Sequence, residues 1–102
     1  MTTITNHLPN VPFPVLASFV DDWEDSNTED PYRYWEAPRV LIPCKRQDVA
    51  VWAGGLQHAD GRLEPEICVN ELHSDHPITA AQARQIARAL INAADAIDRS
   101  DR

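Results

Sequence analysis

Thr79-Ala-Ala-Gln-Ala-Arg-Gln-Ile-Ala-Arg-Ala-Leu-Ile-Asn-Ala-Ala-Asp-Ala-Ile-Asp-Arg99 is the stretch whose reading decides the fold. Its apolar residues Ala83, Ile86, Ala87, Leu90, Ile91, Ala94 and Ile97 recur at steps of three and four, the period of one face of an α-helix. Thr79 suits the N-cap, and Gln82 completes a capping box. Ile78 and Ala83 stand where a hydrophobic staple forms, and Pro77 bars an earlier start. Arg84, Arg88, Asn92, Asp95 and Arg99 share the polar face. The pattern predicts a helix over 78–99, which needs a second apolar surface to cover its stripe.

Residues 37–72 supply that surface as a β-meander. Arg39-Val-Leu-Ile-Pro43 is a short β-type run. Val49-Ala-Val-Trp-Ala-Gly-Gly-Leu56 is nearly continuous in apolar residues, as a central strand buried on both faces must be. Gly54-Gly55 within it points to a bulge or to the close approach of another backbone. Asp60-Gly61 marks a hairpin turn. Leu63–Leu72 is the returning strand, and Pro65, which cannot donate a ladder hydrogen bond, makes it an edge or bulges it there. The expected fold is α+β: a three-stranded antiparallel meander packed by a long C-terminal helix.

At 102 residues and 43% apolar content, the chain suits a single domain with one modest core. The start, Met1 to His7, lacks a basic region and an apolar core, so no signal peptide is visible and a cytoplasmic location is expected. No apolar run approaches a membrane span. The net charge of −7 is unevenly placed. Residues 1–36 hold seven acidic residues and one basic, and residues 79–102 hold three acidic and four basic. Polyanions are repelled from the N-terminal third, and a basic protein surface is attracted. Cys44 and Cys68 read as two free, partly buried thiols.

That N-terminal third has three parts. Residues 1–12 read as a loose, proline-punctuated arm. Residues 13–36 form an acidic and aromatic covering segment, irregular or short-helical. Within it, Val15, Leu16, Phe19, Val20 and Trp23 fit about two helical turns, with a strand as the alternative. Asp21 to Asp30 holds six carboxylates in ten residues, and six of the seven aromatic residues precede Glu36. The rings either cover the sheet face opposite the helix or form a partner site.

Several chemistries can be weighed. Cys44, Cys68, His73 and His76 are zinc-ligand types, but no Cys-x-x-Cys pair exists. Asp25, Asn27, Glu29 and Glu36 fall on ligand positions of a calcium loop, yet its obligatory glycine is Asp30. No phosphate-binding glycine loop or nucleophile elbow is present. No catalytic, cofactor or metal residue is assigned on these grounds, and no cofactor is expected. The aromatic anchors and polar rim of a protein-binding patch are present in Asp21, Asp22, Trp23, Glu24, Asp25, Tyr32, Tyr34 and Trp35.

The run from His76 to Asp98, with its Thr79-Ala-Ala-Gln-Ala-Arg84 core, resembles the ending of small actinobacterial proteins found in mycobacteria and their phages and prophages. Those proteins join a strand or hairpin to a Thr-x-x-Gln-Ala-Arg helix rich in alanine. The resemblance covers roughly residues 49–98 and transfers no site residue. It implies an actinobacterial or phage origin. The functional expectation is a small non-enzymatic protein-interaction module that modulates a host protein, with a basic or apolar protein surface as partner and a homodimer as one form of it. The alternative is a small regulatory nucleic-acid-binding protein using Arg84 and Arg88. No membrane role is expected.

Overall fold

The structure, a computed structural model, describes residues 10–24 and 29–100. Five strands precede one helix: β1 (Phe19–Val20), β2 (Tyr32–Glu36), β3 (Val40–Ile42), β4 (Val49–His58), β5 (Leu63–Asn70) and α1 (Ala80–Ser100). All five strands join one antiparallel sheet, so the fold is α+β.

β4 is the spine of the sheet, and eight of its ten residues are buried. β5 runs along one side of it, from Leu63 opposite Gln57 to Asn70 opposite Ala50. Along the other side, β2 pairs with Gly54–His58 and β3 with Val49–Val51. The two registers differ by one residue. Glu36 faces Gly54 and Val40 faces Val51, so Ala37, Pro38 and Arg39 stand against only Trp52 and Ala53. β2 and β3 are therefore two halves of one bulged strand. Pro38, which has no N–H to give a ladder, sits in the bulge. β1 pairs with the outer side of β2.

The expected meander is present within this larger sheet. The sheet has five strands rather than three because Phe19–Val20 and Tyr32–Glu36 are strands and not parts of a covering segment. The short helix read over Val15–Trp23 does not form. Val15 and Leu16 make a turn closed by the Ala17 N–H donating to the Pro14 carbonyl at 3.0 Å, and Phe19 and Val20 then pair with Glu36 and Trp35. Val15 is 91% exposed, so the helical pattern had no apolar face to bury. Pairing with β2 instead satisfies backbone groups that an unpaired edge would leave to water. β5 stops at Asn70, because Glu71 takes a left-handed conformation (φ 63°) that turns the chain out of the sheet.

Residues directly opposite one another across a sheet share a face. The rows Ile42–Val49, Val40–Val51–Val69, Val20–Trp35–Gly55–Pro65 and Arg33–Gln57–Leu63 therefore share one face. α1 packs there, closing Ile86 and Ala89 over Ile42, Val49 and Val51. Its start carries the expected capping box. The Gln82 N–H donates to Thr79 Oγ1 at 3.1 Å, and the Thr79 N–H donates to Gln82 Oε1 at 2.8 Å.

The helix is turned relative to the expected stripe. Ile86 and Ala89 are buried, whereas Ala83, Ala87 and Ile91 are exposed. At about 100° per residue, the expected stripe lies roughly a quarter turn away from the face that meets the sheet. Gln82 accounts for part of this, since its Nε2 donates to the Pro43 carbonyl at 3.0 Å and draws the first turn towards β3.

The N-terminal segment also packs on the helix side, beyond the helix-covered half. Arg33, a buried residue of β2, donates from Nε to Gln57 Oε1 at 2.7 Å and from Nη2 to the Val11 carbonyl at 2.8 Å. Gln57 Nε2 donates to the Pro12 carbonyl at 2.8 Å. Phe13 and Trp23 each place a ring against the guanidinium, at 4.9 and 4.3 Å from its carbon. The segment had been expected on the opposite face. Two buried polar side chains hold it here, because its carbonyls take the donors that the Arg33–Gln57 pair leaves over.

Candidate functional site

The opposite face of the sheet carries no helix and no covering loop among the described residues. Its cross-strand rows are Phe19–Glu36–Gly54–Glu66, Tyr34–Leu56–Glu64, Tyr32–His58 and Trp52–Cys68. Asp21 continues the β1 edge, its N–H donating to the Tyr34 carbonyl at 2.8 Å, and Glu24 pairs with Tyr32. Rings and carboxylates thus alternate across one open surface.

Its centre is organised by hydrogen bonds. Trp52 Nε1 donates to the Tyr34 hydroxyl at 3.3 Å, and that hydroxyl donates to Glu36 Oε2 at 3.1 Å. Arg39 approaches the same carboxylate from Nη2 at 3.0 Å and Nε at 3.4 Å. Its guanidinium lies 3.8 Å from the centre of the Trp52 ring. The Tyr34 and Trp52 rings are therefore held in place by groups of the sheet itself. Partial burial, the larger cause, and the Glu36 carboxylate push the Tyr34 phenol above its ordinary pKa, so it stays a hydrogen-bond donor. Burial and Glu66 push the Cys68 thiol up in the same way, which keeps it a poor nucleophile.

At the hairpin end of this face His58 bridges two carboxylates. Its Nδ1 meets Asp30 Oδ1 at 3.2 Å, and its Nε2 is hydrogen-bonded to Glu64. Glu64, the larger influence, and Asp30 raise the His58 pKa above its ordinary 6.5. His58 thereby ties the residues before β2 to the start of β5.

The expected patch residues divide between the two faces. Asp21, Glu24, Tyr32 and Tyr34 lie on the open face, beside Glu36, Trp52, Glu64 and Glu66. Trp35 is 1% exposed on the helix side, and Trp23 stacks on Arg33 there. Asp22 is exposed, and Asp25 lies outside the described residues. Trp52 and Glu36 were missed because nothing local in the sequence says that Tyr34, Glu36 and Trp52 meet. The alternation of Tyr32, Tyr34 and Glu36 with Arg33 and Trp35 was the available signal.

The zinc-ligand types do not gather as the sequence first suggested. Cys44 packs beside the core under α1, while Cys68 lies on the open face. The loop after β5 instead brings Glu71, His73 and His76 together, with one ligand atom of each within 4.8 Å of the others. The calcium positions Asp25 and Asn27 fall outside the described residues. A cavity of about 50 Å³ between Trp35, Leu63, Pro65 and Leu16 is too small for most organic ligands. A shallow groove of about 360 Å³ separates β3 from the Gln85, Arg88 and Asn92 side of α1. No helix among the described residues is long and apolar enough to cross a membrane. No protein-family model, curated protein or solved structure matches the chain.

Proposed function

We propose that the chain is a small non-enzymatic protein-interaction module that takes a basic segment of a partner protein on the open face of its sheet. The observation that carries this reading is the alternation of rings, Tyr32 and the hydrogen-bonded pair Tyr34 and Trp52, with the carboxylates Asp21, Glu24, Glu36, Glu64 and Glu66 on an uncovered surface. Aromatic anchors supply contact area, and the acidic rim steers and orients a basic partner. Two copies of this face repel, so the occupant is a different, basic protein rather than a second copy. The likeness of the C-terminal helix to actinobacterial phage proteins fits a host protein as that partner.

Titration with an oligolysine peptide tests the charge and the surface together. The Trp52 indole N–H resonance shifts on binding, and the shift weakens as salt is raised. Replacing Asp21, Glu24 and Glu66 by Lys abolishes it while the fold is kept. Shifts confined to α1, or binding that ignores the triple substitution, would overturn the reading.

The helix arginines support a second reading, regulatory nucleic-acid binding. Arg84 and Arg88 are exposed, and neither forms an ion pair among the described residues. A low-salt gel shift that disappears in Arg84→Ala/Arg88→Ala would favour it.

A further inference from the structure

The loop between β5 and α1 holds a cluster that neither the core nor the open face uses. Glu71, His73 and His76 form a Glu-x-His-x-x-His run. Their ligand atoms converge because Glu71 is held at φ 63°, which reverses the chain as it leaves β5. A turn then brings His76 back, its N–H donating to the His73 carbonyl at 3.0 Å. The two imidazoles lie with centres 4.5 Å apart and planes tilted by 40°, and His76 Nδ1 lies 4.0 Å from Glu71 Oε2.

Within the cluster, His76 Nδ1 is itself shut off from water without a hydrogen-bond partner among the described residues, although its side chain is 31% exposed and Glu71 Oε2 stands just beyond hydrogen-bond distance. A ring nitrogen shut off from water and aimed at a carboxylate lacks a bridging group that both could hold. We propose that Glu71, His73 and His76 bind a divalent transition-metal ion of the zinc type, with the fourth position open to solvent.

The donor set fits that class. Two imidazoles and one carboxylate suit zinc, and also cobalt or nickel, rather than calcium or magnesium, which take oxygen ligands. Donors around a tetrahedral zinc, bonded at about 2.0–2.1 Å, lie roughly 3.3 Å from one another. The donor atoms, within 4.8 Å of one another and 4.0 Å apart for Nδ1 and Oε2, would draw together to that spacing by side-chain rotation. One existing bond is given up. His73 Nδ1 accepts the Asp75 N–H at 3.2 Å, and coordination through either ring nitrogen ends that contact. Asp75 is exposed, so its amide turns to water. The ion would tie the end of β5 to the residues leading into the Thr79 cap, and so stabilise the seat of the helix.

Titration of the full chain with Zn²⁺, and separately with Co²⁺, tests this. The expected result is one ion per chain, ring resonances of His73 and His76 that shift while those of His58 do not, and an unfolding temperature raised by Zn²⁺. Glu71→Gln keeps the shape of the side chain and weakens binding by about tenfold or more, since a lost ligand costs at least what a lost supporting partner does. His73→Ala/His76→Ala binds no ion at this loop and shows no Zn²⁺-dependent rise, with its metal-free unfolding temperature as the check on folding. Cys44→Ser/Cys68→Ser binds as the wild type does. Zn²⁺ in excess that moves neither ring, binding that survives the double histidine substitution, or a cobalt–thiolate absorption band lost in the cysteine variant would each overturn the proposal.

Discussion

Gly55 sits where β4 is squeezed from both sides. It has φ 138°, and a Cβ placed there would lie 2.0 Å from the Glu64 carbonyl oxygen of β5. At Gly54 the added atom would meet the Trp35 carbonyl oxygen at 2.8 Å. Of the two readings of the pair, a bulge or a close approach of backbone, the structure shows the close approach, to one neighbouring strand at each position. Gly55→Ala is expected to cost about 3 kcal/mol or more, because a backbone clash adds to an unfavourable dihedral. Chemical denaturation measures it. Arg33 is the second residue on which the fold leans. Burial pushes its pKa down, and carbonyl, amide and aromatic groups surround it instead of a carboxylate. Arg33→Ala removes two charge-assisted hydrogen bonds and leaves Gln57 Oε1 unpaired, a loss of about 3 kcal/mol. Faster hydrogen exchange and proteolysis near Val11 should accompany it.

His58 makes stability depend on pH. Its folded pKa is raised by Glu64 and Asp30, so the native state holds its proton more tightly than the unfolded chain does. The contribution is complete below about pH 6.5, the ordinary value, and drains away as pH rises through the higher folded value. Arg62, 4.0 Å from Asp30, works against it. The difference in unfolding temperature between wild type and His58→Gln should therefore be largest in mild acid and shrink towards alkaline pH. A difference that grew with pH would show the imidazole to be neutral in the native state.

Among the elements, α1 separates propensity from packing. Its cap and its existence follow from local chemistry, and Thr79→Ala should cost about 1 kcal/mol through loss of the capping oxygen. Its rotation follows from tertiary contacts. Ile86 is 4% exposed and Ile91 is 59% exposed, although both belong to the same periodic stripe. Ile86→Ala is expected to cost about 2–4 kcal/mol, whereas Ile91→Ala should change stability by less than about 0.5 kcal/mol. Thermal or urea unfolding of the two variants distinguishes the observed seating from the one that periodicity alone suggests. β2 and β3 show the same division. Val40–Ile42 was legible as a strand, but Tyr32–Glu36 was hidden by its mixture of charge and large rings. That mixture arises because its alternate residues serve two different environments: Arg33 and Trp35 go under the N-terminal segment, and Tyr32, Tyr34 and Glu36 onto the open face.

Across the whole molecule, the sheet is packed on one side and open on the other. α1 and the N-terminal segment share the packed side over β2 and β4, while Val40, Ile67 and Val69 on the flanking strands of that side stay exposed. The open side gathers carboxylates from four parts of the chain, Asp21–Glu24, Asp30, Glu36 and Glu64–Glu66. The negative charge of the N-terminal third is therefore the larger part of an acidic surface that β5 completes with Glu64 and Glu66. That surface should make association with a basic partner faster at low ionic strength and slow it once salt shortens the screening length to about 10 Å. Stopped-flow measurement at two salt concentrations checks this.

By itself the sequence determined the α+β class, the capped helix, the buried central strand, the tight glycines and the edge character of the Pro65 strand. Each of these rests on short-range rules: period, capping, dihedral freedom and the missing N–H of proline. Only the tertiary structure decided which side of the helix is buried, which face the N-terminal segment covers, and that the aromatic run is a strand. It alone brought Tyr34 to Trp52, His58 to Asp30, and the loop carboxylate Glu71 to His76. The reason is that these outcomes turn on pairing register and on where buried polar groups find partners, which depend on residues far apart in the chain.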